Sequence, residues 1–229
     1  MADMGIMATE TSSRALIRLM AWLSPAFPVG GFAYSGGLES AVHDGAASDP
    51  DTLRQWFDTL LTRGAWRNDG VLLAEAWRSV EDPQRLAAVA ALAEALAGSA
   101  ERHLEILTIG EAFAAAAAAW PHPALDGLGS RPPYSVAVGV AASAQAIPLE
   151  SCLAAFYHAL VSQGVSAAIR LGVIGQRQGV ALLAAFEETI LTIARETACS
   201  TLDDLGSAAI GADIASLRHE TQHTRLFRS

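Results

Sequence analysis

The pattern in this chain most suggestive of chemistry is His219-Glu220-Thr221-Gln222-His223. Two imidazoles at i and i+4 share one helix face and can grip a zinc ion while the glutamate activates a water. A catalytic zinc needs a third protein ligand, which in this pattern normally lies downstream. Only six residues follow His223, and none is His, Asp, Glu or Cys. A terminal turn is also a poor place to exclude water and to support ligands from behind. His219 and His223 are therefore weak metal candidates only, suited to adventitious Ni²⁺ or Zn²⁺. The other histidines are isolated. The absence of lysine removes Schiff-base and phosphate-loop chemistry. Cys152 and Cys199 stand far apart, in no metal spacing, and read as two buried thiols. No active site is visible, and no tightly bound cofactor is expected.

What remains are surfaces. Arg218, Arg225 and Arg228 flank Leu226-Phe227. Guanidinium forks around an apolar anchor are how interface hot spots are built. The plain alternative is a frayed basic tail on an acidic protein. Arg170 and Arg177 bracket a glycine-punctuated break, LGVIGQ. Their plain alternative is capping of a helix end. A third feature is the segment SPAFPVGGFAYSGGLE, residues 24–39. Pro25 and Pro28 stop a helix from running through it. Gly30 and Gly31 allow positive φ or close backbone approach. Phe27 and Tyr34 offer large apolar area, and both are expected to be largely buried.

The elements that must position these residues read as helices. The 229 residues are 52% hydrophobic and only 17% charged, with a mean hydropathy of +0.29. That is too apolar for a comfortable monomer. A net charge of −9 argues against nucleic acid as a partner. The opening MADMGIMATETSSR has no early basic residue and no apolar run, so it does not read as a signal peptide. The apolar stretch 151–169 is too polar for a membrane span. Together these point to a soluble, cytoplasmic protein. Leu16, Leu19, Met20 and Leu23 follow helical periodicity. Asp49-Pro50, Asp82-Pro83 and Ser99 mark helix starts. The helix from Ser99 carries six alanines at 114–119 and is expected to be central. Residues 134–147 carry no charge, so that helix should be buried on every face. The expected fold is all-α, a single domain over 1–229. It is a bundle of about nine or ten helices around a central hydrophobic helix, flexible at 1–11 and in a C-terminal tail at 224–229.

The 24–39 segment resembles the N-terminal signature of the UreF family of urease accessory proteins. DDLGSAAIGADIASLRHETQHTRLFRS, from Asp203, resembles that family's C-terminal signature. VSAAIRLGVIGQRQG from Val165 and YSVAVGVAASAQAIP from Tyr134 are further matches in the right order. The sequence departs from the family at Gly36-Gly37, where two adjacent glycines weaken a helix start. The resemblance implies an all-helical, dimeric, non-enzymatic scaffold for nickel insertion into urease. It implies partners: a UreD-like protein (also called UreH), a UreG-like GTPase and the urease apoprotein. Partner binding would fall to Arg218, His219, Glu220, Arg225, Leu226, Phe227, Arg228, Arg170 and Arg177. Pro25, Phe27, Pro28, Gly30, Gly31, Tyr34 and Ser35 would form the structural signature loop. Nickel would be in transit or weakly bound. The alternatives are a zinc metallopeptidase through residues 219–223, or a helical binding module for some other apolar partner.

Overall fold

The computed structural model describes the backbone of residues 2–229 and the side chains of residues 12–229. The segment 1–11, expected to be loose, lies outside the residues whose side chains are described. Among the described residues the structure is all-α, with no strand. Helix α1 (Ala2–Trp22) leads through a 3-10 turn (Gly31–Ala33) into the short α2 (Leu38–His43). Next come α3 (Pro50–Arg63), α4 (Ala65–Arg78), α5 (Pro83–Ala95) and α6 (Ala100–Ala117). The one-turn α7 (Pro123–Asp126) precedes α8 (Tyr134–Ala144) and α9 (Leu149–Arg170). The chain closes with α10 (Gln176–Ala185), α11 (Glu187–Cys199), a 3-10 turn (Leu202–Asp204) and α12 (Ile210–His219). Setting aside α2 and α7, of six and four residues, leaves ten helices.

The expected helix starts are present. The Asp49 carboxylate accepts from the N–H groups of Asp51 and Thr52 at 2.9 Å, and Thr52 Oγ1 accepts from Asp49 N at 3.1 Å. This reciprocal pairing satisfies donors that the first turn leaves free, while Pro50 needs none. Asp82 and Ser99 do the same for the N–H groups of Arg85 and Arg102.

Every residue of α8 from Ser135 to Ala142 is buried, as its lack of charge requires. It packs most extensively against α4 and α6. Gly139 lets α8 lie directly against the backbone of α4. A Cβ added there would lie 2.4 Å from the carbonyl oxygen of Leu73 on α4. By length and composition α9 could cross a membrane. In this fold its Cys152, Leu153, Phe156, Tyr157 and Val161 are fully buried core residues.

Four expectations are corrected. The tail is not loose: Phe227 and Ser229 are buried, because an apolar ring and several backbone groups find partners on the bundle. The core face of α1 is Ala15, Leu19 and Trp22, while Leu16, Ile17 and Met20 point outward. Trp22 carries the largest apolar area on that helix and rotates the stripe toward itself. The alanine run of α6 is not central. Ala115, Ala118 and Ala119 are exposed, and the larger Ile106, Ile109 and Phe113 of the same helix hold the core. Cys152 is buried, but Cys199 is exposed.

Candidate functional site

The two terminal features of the sequence meet in one place. Gly30, at φ 74°, turns the chain into the 3-10 turn, and Tyr34 after it is buried. Phe27 is half-buried. Its ring lies 5.6 Å from Phe113 and leads into a chain of aromatics through Tyr134 to Phe156. Pro25 and Pro28 remain exposed at the turn. The backbone of the turn is held from α9. Gln163 donates to the carbonyl of Gly31 at 2.9 Å, and Arg170 donates to that of Phe32. Helix α2 begins only at Leu38, since Gly36 and Gly37 before it are both left-handed. Gly37 also lets this corner touch α12. A Cβ there would stand 2.8 Å from the backbone nitrogen of Ser216.

The tail lies against this corner. Arg228 N donates to Ala33 O at 2.8 Å, and Ser35 N donates to Ser229 O at 2.6 Å. The Ser35 hydroxyl reaches the same oxygen. The Phe227 ring is buried, with the Arg170 guanidinium carbon 4.3 Å from its centroid, a cation–π distance. Arg170 thus ties turn and tail together, rather than merely ending a helix. Arg177 lies exposed on the first turn of α10 and bonds neither.

A carboxylate–imidazole chain fastens the tail from beneath. Glu39 on α2 is buried. Its Oε1 accepts from Leu226 N at 2.7 Å, and its Oε2 accepts from Phe227 N at 2.9 Å. His219 Nε2 lies 3.1 Å from Glu39 Oε2, and His219 Nδ1 lies 2.6 Å from Glu101 Oε2. The other Glu101 oxygen accepts from Arg225. Burial acts to raise the Glu39 carboxyl. The N–H groups of Leu226 and Phe227 and the His219 ring outweigh it and hold that carboxyl below the ordinary range. Behind this chain a partly buried Arg102 bridges Asp69 and Glu105, and Ser229 Oγ lies 3.3 Å from Glu105.

This arrangement dissolves the zinc pattern. α12 ends at His219, so His223 does not follow it on one helix face, and His223 is exposed. His219 is fully buried, with a carboxylate at each ring nitrogen. Glu220 is no general base, since its Oε1 accepts from Ala100 N at 2.7 Å and caps α6. His219 has no exposed surface, while Glu220 is half-buried. Arg218 is exposed and paired with Asp44 at 2.7 Å. The side chains presented outward at this end are Phe32, Leu226 and Arg228, with Arg225 half-exposed beside them.

Glu39, Glu101 and Gln163 escaped the sequence reading. Glu39 had one local signal, a lone charge between Leu38 and Ala41 on the apolar part of a short helix. Glu101 and Gln163 had none, because their partners are more than a hundred residues away.

Comparison with known proteins covers the chain nearly end to end. A family model described as UreF matches residues 47–187. A protein of Agrobacterium fabrum (strain C58) named "Urease accessory protein UreF" is 59% identical over 223 residues, which are 97% of this chain and 100% of that protein. A protein of the same name from Rhizobium leguminosarum bv. viciae is 59% identical over the same shares. Another from Rhizobium meliloti (strain 1021) is 54% identical.

Proposed function

This chain belongs to the UreF family of urease accessory proteins, and from that premise we propose that it is a scaffold for nickel insertion into urease. It is an accessory protein, not a catalyst. It binds a UreD/UreH-like protein and a UreG-like GTPase, and holds them against the urease apoprotein. It works as a homodimer in the cytoplasm. Nickel is the cargo of this assembly and is at most weakly held by this chain.

The observation that carries the reading is the joined tail and turn. Phe227 is sunk into the bundle, while its neighbour Leu226 is 55% exposed and Phe32 is 73% exposed. Arg225 and Arg228 stand around them. Exposed apolar anchors among guanidinium groups, on a backbone already ordered, form a binding surface that loses little entropy on association. A helical module for an unrelated partner would show the same surface, and a cellular test separates the two. In a strain lacking this chain, urease activity should be lost at ordinary nickel. The wild-type chain should restore it, and Leu226→Asp should not. Full urease activity in the deletion strain would end the urease reading.

A further inference from the structure

We propose that Glu39 is the positioning residue of the C-terminal tail, deciding which of Leu226 and Phe227 is anchored and which is presented to a partner. The inference rests on the reading that this tail captures a partner. The two residues are adjacent and similarly apolar, and hydrophobicity alone does not choose between them. Phe227 is nonetheless 4% exposed and Leu226 55%. The difference follows from the backbone. Successive N–H groups of an extended segment point to opposite sides. Here Leu226 N and Phe227 N converge on the two oxygens of one carboxylate, at 2.7 and 2.9 Å. That requires a bent tail, in which consecutive N–H groups form a concavity around an anion. With this bend fixed, the Phe227 ring turns inward beneath Arg170 and Leu226 turns outward.

The clamp is itself held. His219 orients the Glu39 carboxylate, Glu101 orients His219, and Arg225 closes the circuit on Glu101. The circuit begins and ends on the tail, so bundle and tail set each other's geometry. The carboxylate accepts three hydrogen bonds, from two backbone amides and one imidazole. An amide at position 39 has the same shape but only one oxygen, and its NH₂ group would face a donor. Glu39→Gln therefore removes the clamp with little change of volume.

The test is amide hydrogen exchange on the full chain, with protection at Leu226 and Phe227 compared with buried amides of α8 as an internal standard. Glu39→Gln should lower protection at 226 and 227 by about tenfold or more while α8 is unchanged. Should Glu39→Gln fail to fold, Leu226→Pro removes one donor from the tail side at an exposed position, and it should lower Phe227 protection likewise. Unchanged protection in the folded variant overturns the proposal. Capture of the partner from a strain expressing the urease accessory proteins is the second readout. Glu39→Gln should reduce it at least tenfold, and full capture with a released tail also overturns the proposal. Leu226→Asp keeps the clamp. If it retains full capture, the partner reading fails by itself, whatever Glu39→Gln does to exchange.

Discussion

Burial of Glu39 by itself would raise its carboxyl, but two tail amides and the His219 ring reverse the sign. A carboxyl whose folded value is depressed stabilises the fold above its ordinary value of 4.5. That contribution disappears as pH falls through the lower folded value. Urea midpoints followed from about pH 6 to about pH 3 should decline in acid, and the part due to Glu39 should be missing from Glu39→Gln. An acid limb of equal steepness in the variant would contradict the assignment. His219 makes a second residue-scale case. His219→Ala leaves Glu39 and Glu101 without the ring between them and should cost about 3–5 kcal/mol, as removal of one partner from a buried charged group does. His223→Ala, at an exposed position, should stay within about 0.5 kcal/mol of wild type. Equal losses in the two variants would revive the metal pair. The sequence exposed the spacing of these histidines but not their roles. Those roles depend on carboxylates at 39 and 101 that only the folded chain brings to α12.

At the scale of elements, the legible parts were those whose signals are local. Asp49, Asp82 and Ser99 announce helix starts because a cap and its N–H groups lie within three residues. Asp49→Ala should lower stability by about 1 kcal/mol, measured by chemical denaturation. A change under about 0.3 kcal/mol would mean that the cap is redundant with Pro50. The uncharged run of α8 likewise told its own burial. For α1, periodicity gives only a stripe about a third of the helix wide. Choosing between the Leu16–Met20 and Leu19–Trp22 stripes needs knowledge of the neighbours. The turn at 30–37 was legible as a break, but not as the seat of the tail. Gly30→Val would force a β-branched residue to φ 74° and should cost about 1–3 kcal/mol. The same change at Gly31, whose φ is not positive, meets Gln163 Oε1 at 3.0 Å. It should act by displacing Gln163 from the turn. Comparing the two by thermal melting and by exchange at the Tyr34 amide checks this.

For the whole molecule, the apolar excess of the sequence has a visible counterpart. Leu16, Ile17 and Met20 on α1 and Ile210, Ile214 and Leu217 on α12 are all at least 43% exposed. Surface of that kind on a folded chain favours association. Light scattering of the purified protein is expected to give a dimer, and a stable monomer would contradict it. The tail shows where reasoning from composition stopped short. The six residues 224–229 look like a loose end, and nothing within them reveals Ala33, Ser35 or Glu39 as partners. Those partners lie almost the full chain length away, and the first and last signatures of the sequence form a single surface. The most direct test of that surface as a partner-binding face is co-purification of the UreD-like protein with the wild-type chain and with Leu226→Asp. The variant should keep its wild-type melting temperature and lose the partner. Recovery of the partner at full yield with Leu226→Asp would contradict it.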